Sequence, residues 1–210
     1  MRSVTILILA LILNSCDNPV RFEVPQPEGR RNEQSIPKKL TGHYSSLSDS
    51  SNLTISDRLI LKRKVSNQSI PLSSLDSAER ANIQRGTHDT TQEIGLQIKM
   101  TIKGVTVFQH IEYRDTLFSS SRGDLLRKFK GYYFINQQTS KSRWSVTKIA
   151  KVKGGLTLGN VSSVDDIKNL RELTGVLSDT TNTFHPTRKQ LRAFLKAQGF
   201  SNEEIFIKLN

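Results

Sequence analysis

The chain has 210 residues, and its 31 Lys and Arg against 19 Asp and Glu give a formal net charge of +12. Leu, Ile, Val and Phe together exceed a quarter of the sequence, above the ~20 per cent at which a chain fails to build a core, so disorder throughout is excluded. A single cysteine excludes an intramolecular disulfide, a Cys-x-x-Cys redox pair and a cysteine-based zinc cage, because each needs at least two thiols.

Met1 and Arg2 give a short positive start, and residues 4–13 (VTILILALIL) are apolar except for Thr5. Such a run rises only ~15 Å as a helix, half of the ~30 Å hydrocarbon core. It therefore does not span a bilayer and reads as the apolar region of a secretory signal occupying residues 1–15. Leu13-Asn14-Ser15-Cys16 resembles the bacterial lipobox. That resemblance implies cleavage between Ser15 and Cys16 and alkylation of the Cys16 thiol by a diacylglycerol. Two or three acyl chains at ~0.8 kcal/mol per buried methylene hold a protein on a membrane, where one chain does not. The competing readings are an ordinary cleaved signal with an incidental thiol, or a buried core cysteine.

Residues 16–37 then carry the lipidated Cys16 and a stretch with four of the six prolines, Pro19, Pro25, Pro27 and Pro37. Proline fixes φ and removes backbone donors, so the stretch reads as an extended tether. At ~3.1 Å per residue it would reach roughly 60 Å from the lipid.

Folded sequence is expected over 38–210. Three short β-rich runs, 40–46, 52–56 and 59–65, are separated by Ser/Asp turn chemistry. Residues 72–84 give a helical pattern with Ser74 as its cap, and 86–92 read as polar loop. Ile94, Leu96, Ile98, Met100 and Ile102 alternate with polar residues, the mark of a strand with one buried face. Lys103-Gly104 offers a turn, and Val105, Val107, Ile111 and Tyr113 continue the alternation with Gln109 as the exception, so a long hairpin is predicted.

Further strands are predicted at 129–136, 143–149 and 155–161, with Lys153-Gly154-Gly155 as a hairpin turn. Ser163 and Asp166 make a capping-box-like start to a helix through about Leu173. Thr187 can cap a second helix carrying Leu191, Phe194 and Leu195, which Gly199 would end in the left-handed conformation with Phe200 packing back. Ile205, Ile207 and Leu209 alternate as a last strand, expected to join the core. The fold class is α+β, predominantly antiparallel β, a meander or small barrel-like sheet with two or three short helices, two of them near the C-terminus. Lys128-Phe129-Lys130-Gly131-Tyr132-Tyr133 echoes Lys39-Leu40-Thr41-Gly42-His43-Tyr44. The domain is thus one piece or two similar meanders, 38–121 and 122–210.

The strings DTLF (115–118), LRKFKGYYFIN (126–136) and PTRKQLRAFLKAQGF (186–200), together with the lipobox, resemble a group of uncharacterised lipoproteins of Bacteroidetes-like bacteria. The resemblance implies an outer-membrane address and carries no activity, cofactor or catalytic residue. Neither G-x-S-x-G nor G-x-x-x-x-G-K-[ST] occurs in the sequence, and His43, His88, His110 and His185 have no second ligand at metal spacing. No catalytic residue, metal site or cofactor is therefore assigned.

Charge is the one functional signal. Between 122 and 153, Arg122, Arg127, Lys128, Lys130, Lys141, Arg143, Lys148, Lys151 and Lys153 face a single acid, Asp124, with Tyr132, Tyr133, Phe134 and Trp144 interleaved. Lys128, Lys130, Arg143, Lys148 and Lys151 are the candidate anion-binding residues, for an acidic glycan, a lipid headgroup or a partner protein. The alternative is that the aromatics are core and the lysines a solvated face. Export makes nucleic acid a poor partner. Two classes stay open, a non-enzymatic envelope module and an envelope hydrolase with dispersed catalytic groups.

Overall fold

The computed structural model describes residues 19–84, 95–176 and 182–209, and the backbone alone of 89–92. Ser15, Cys16, His88 and Ile94 lie outside the described residues. The strands are β1 (Arg21–Phe22), β2 (Gly42–Ser46), β3 (Asn52–Ile55), β4 (Leu59–Pro71), β5 (Asp89–Gln92), β6 (Leu96–Lys103) and β7 (Thr106–Ser119), followed by β8 (Leu125–Phe129), β9 (Tyr132–Ser140), β10 (Arg143–Val152), β11 (Gly155–Asn160), β12 (Thr183–Phe184) and β13 (Asn202–Lys208). Three α-helices are described, α1 (Ser77–Gln84), α2 (Val164–Thr174) and α3 (Arg188–Lys196). The protein is strand-rich and mostly antiparallel, and the sheet is open, which corrects the barrel-like alternative.

The chain forms two compact units, Arg63–Asp115 and Asn18–Lys62 with Thr116–Asn210. The boundary expected at 121/122 thus falls inside the second unit. The expected pair of meanders is not the division the fold makes, because β4 and β7 each run from one unit into the other.

In the larger unit the strand order is β12-β1-β10-β11-β13-β2-β3-β4, with β9 on β10 and β8 on β9. Register assigns the faces, since paired residues point the same way. Tyr133 lies opposite Ile149, Ile149 opposite Leu158, and Leu156 opposite Phe206. These side chains join Leu40, Tyr44, Leu53, Ile55, Ile60 and Leu126 in one core. The other face carries Phe134 and Val146, which meet Phe22 and Phe184 from the short strands and Leu170, Leu191, Phe194 and Phe200 from the helical region in a second core.

Both C-terminal helices start where local chemistry places them. The Ser163 side chain accepts a hydrogen bond from the Asp166 amide, and Thr187 with Gln190 forms a capping box. The end of α3 departs from expectation. Gln198 and Phe200 have φ of 60° and 63°, and Gly199 is not left-handed. Gly199 is required for another reason: a Cβ there would lie 2.5 Å from the Phe194 ring. β13 also departs from it, since Phe206 is the buried residue while Ile205 and Ile207 stand on the opposite face, 43% and 37% exposed.

In the smaller unit β6 and β7 form the expected hairpin, Ile98 opposite Ile111 and Met100 opposite Gln109. Gln109 is buried, with its amide 3.9 Å from the Met100 sulfur, so this exception to the alternation sits in the interior. Val105 is 82% exposed and does not continue the buried set. The 72–84 helix is shorter than expected. Asp76, not Ser74, caps it: its carboxylate accepts from the Glu79 amide at 2.8 Å, and Glu79 accepts from the Asp76 amide at 2.9 Å. The expected polar loop over 86–92 includes β5, whose Thr90 lies opposite Ile98. Glu112 is buried between Arg63 and Arg114. Hydrogen bonds from these two guanidiniums, Arg63 first, hold its carboxyl down at about 2.

Candidate anion-binding surface

The proline-rich stretch decides what the basic residues can do, because it is not a free tether. Val20, Phe22, Gln26 and Ile36 are buried. β1 pairs antiparallel with β10, Phe22 opposite Trp144, and parallel with β12. Two inward-reaching side chains fix the prolines. Asn136, fully buried, accepts from the Gln26 amide at 2.5 Å and donates to the Gln26 carbonyl at 2.7 Å. Arg127 donates to the carbonyls of Pro25 and Pro27 at 2.5 and 3.0 Å, and to the Asn32 side chain at 2.8 Å. Proline removes donors but leaves acceptors, and an arginine with five donors satisfies them. The tether expectation fails for residues 19–37 because proline content acts locally, whereas the partners that hold the stretch lie about a hundred residues away in sequence.

Beyond Pro27 the segment runs along the free edge of β8. The Glu33 amide donates to the Leu126 carbonyl at 2.7 Å, Asn32 bridges to Arg127, and the Arg30 Nε donates to the Lys128 carbonyl at 3.4 Å. This brings a second set of cations to the predicted set. The Arg30 guanidinium lies 5.8 Å from the centre of the Phe129 ring, and Lys39 and Lys128 put their ammonium groups 5.4 and 5.8 Å from the Tyr133 ring. A polar groove of about 370 Å³ is lined by Arg31, Asn32, Glu33, Gln34 and Ser35. Arg30, Arg31, Lys38, Lys39, Lys128 and Lys130 are all exposed. Among the described residues none of the six makes an ion pair.

The five predicted residues do not share one surface. Lys128 lies opposite Tyr133, and Lys151 lies opposite Leu156, on the face of the first core. Lys130 occupies the β8–β9 turn at φ 52°, and exposed Arg143 starts β10. Lys148 is the correction. It points to the other face, where it is buried. Its ammonium lies 2.8 Å from the Glu203 carboxylate, 3.2 Å from the Gly199 carbonyl it donates to, and 5.4 and 5.8 Å from the Tyr132 and Phe200 rings. Gly159, directly opposite, leaves room for it: a Cβ there would come within 3.3 Å of the lysine Cε. Lysines 148 and 151 are an odd number of positions apart, so a strand sends them to opposite faces. Tyr133 and Phe134 are buried and Tyr132 and Trp144 half-buried, so the aromatic residues are core and do not offer open faces for stacking.

Residues 30–39 were missed as site residues. Their signal was present in the doublets Arg30-Arg31 and Lys38-Lys39, but only docking brings them to Lys128. Two further charged clusters were also missed. His185 holds Glu23 and Glu28 at 3.2 and 3.1 Å, and these carboxylates, Glu28 first, push its pKa up. Lys62 pairs with Glu204 at 2.5 Å and with Asp49 at 3.6 Å. Against the desolvation of burial, hydrogen bonds from Ser51 and the Lys62 charge hold Asp49 well below the usual carboxylate range. Among the described residues no group of three His, Cys, Asp or Glu is arranged to hold a metal ion, and no helix is long and apolar enough to cross a membrane. Compared with protein families, curated proteins and solved structures, the chain matches none.

Proposed function

We propose that this chain is a lipid-anchored protein of the bacterial cell envelope, held in the outer membrane through Cys16, whose folded part binds an anionic polymer or headgroup without catalysing a reaction. The observation that carries the binding reading is the exposed set Arg30, Arg31, Lys38, Lys39, Lys128 and Lys130, none of which makes an ion pair among the described residues, with Arg30 on the Lys128 carbonyl and Lys39 and Lys128 on one Tyr133 ring. Exposed cations with no ion-pair partner among the described residues raise the local potential and draw in polyanions. Because the neighbouring rings are covered, recognition rests on charge and is salt-sensitive, fading over a Debye length of about 8 Å at physiological ionic strength. What supports the anchor is the short apolar run ending at the single cysteine.

Retention of the unlipidated protein on heparin tests the binding. Replacing Arg30, Arg31, Lys39, Lys128 and Lys130 by Gln should move elution to clearly lower salt, whereas Lys148→Met, which changes a buried group, should not. Equal elution of the five-fold variant and the parent would show that the cations are only a solvated face. Release of Cys16→Ser from membranes into the soluble fraction tests the anchor.

A further inference from the structure

We propose that the larger folded unit lies directly against the bilayer that holds Cys16, with Arg21 and the Val161–Val164 turn at the level of the lipid headgroups. This rests on lipidation of Cys16 and adds to it the distance and the surface. The docking of the proline-rich stretch carries the argument. Val20 is only 8% exposed and belongs to the second core with Phe22 and Val161. Only Asp17, Asn18 and Pro19 separate Cys16 from it, and the four steps from Cys16 to Val20 span at most about 14 Å when fully extended. A tether of roughly 60 Å is therefore replaced by a leash no longer than the unit's own radius of gyration of about 14 Å, the size expected for some 140 residues. A body that size on such a leash cannot stand away from the membrane.

The surface beside Val20 suits this place. The Arg21 guanidinium donates to the Val20 carbonyl at 3.1 Å, which keeps a cation where the chain joins the fold. Val164, at the first turn of α2 and three positions after Val161, is 81% exposed. Ser162, Ser163 and the acid Asp165 flank Val164 in sequence. An exposed apolar side chain just past Val161, which shares the second core with Val20, suits the boundary between headgroup and acyl chain, and a chain of net charge +12 is drawn to anionic lipid.

The single tryptophan reports the distance, because Trp144 sits opposite Phe22 in β1. The lipidated protein, purified and placed in vesicles of phosphatidylethanolamine and phosphatidylglycerol with dansyl-labelled headgroups, should show energy transfer from Trp144. Inserting twenty Gly/Ser residues between Asn18 and Pro19 adds an r.m.s. reach of about 25 Å and should lower transfer at least two-fold. In a Trp144→Phe background, Leu47→Trp, placed beyond β2, should transfer less than Trp144 does. Absence of transfer in the parent, equal transfer with and without the insert, or equal transfer from both tryptophan positions would overturn the proposal. Cys16→Ser separates the two levels. If it leaves the vesicles while the insert changes nothing, only the contact falls. If it stays bound, the anchor falls and the proposal with it.

Discussion

Beneath α2 and α3 the sheet face of the larger unit carries Phe134 and Val146, closed off by Leu170, Leu191 and Phe194, all of them buried. On β13, two strands from β10, the same face carries Ile205 and Ile207, 43% and 37% exposed, beside Leu47 at 68%. The two regions are equally apolar in sequence and differ only in whether a helix lies over them. Alternation therefore marks a strand reliably, but it does not say which of its two faces the fold will cover. On β13 the covered face is the one with a single apolar residue, Phe206, because it is directed into the first core.

The largest test of this contrast lies on the covered side. Phe194→Ala removes a fully buried ring that touches Phe200 at 5.4 Å between centroids, and such truncations cost about 3–5 kcal/mol. Against a total stability of about 5–15 kcal/mol, chemical denaturation should show the midpoint collapse. A change below about 1 kcal/mol would mean that the helices are not integral to the second core.

Next comes the docked segment. Asn136→Ala leaves the buried amide and carbonyl of Gln26 without their partners, at a cost of about 1–3 kcal/mol for each unmet group. Limited proteolysis should then cleave within residues 19–37 well before the parent is cut there. An unchanged cleavage rate would restore the tether reading for this stretch.

His185 gives a smaller, pH-dependent effect. Its folded pKa is raised above the ordinary 6.5 by Glu28 and Glu23, so its contribution is fully present below pH 6.5 and is lost as pH rises through the folded value. His185→Gln should flatten the slope of stability between pH 6 and 8, read from thermal midpoints. A slope equal to the parent's would show that the contact is not coupled to folding. The smallest effect belongs to the bare face: Ile207→Thr should shift stability by no more than about 0.5 kcal/mol, and a loss above about 2 kcal/mol would show this face to be covered in solution.

What was legible in the sequence was local. Ser163 and Thr187 announce their helices because a cap needs only the next three residues, and Lys103-Gly104 announces its hairpin for the same reason. What was not legible needed a partner far away. The burial of Lys148 depends on Glu203, on a carbonyl at Gly199 and on the vacancy at Gly159. The site was half legible. Lys128 and Lys130 stood out in the basic run, while Arg30, Arg31 and Lys39 became part of it only through the bonds that Arg127 and Asn136 make to a stretch whose own residues argue for extended chain.

The Asn136 clamp also orders events in time. The peptide at Gln26 is satisfied by a side chain 110 positions later, so it stays unmet during synthesis until most of the chain has emerged. Contacts of such separation form late because the loop-closure entropy comes before any gain. Residues 19–37 are therefore fixed late, after the strand that carries Asn136 has taken its place in the sheet.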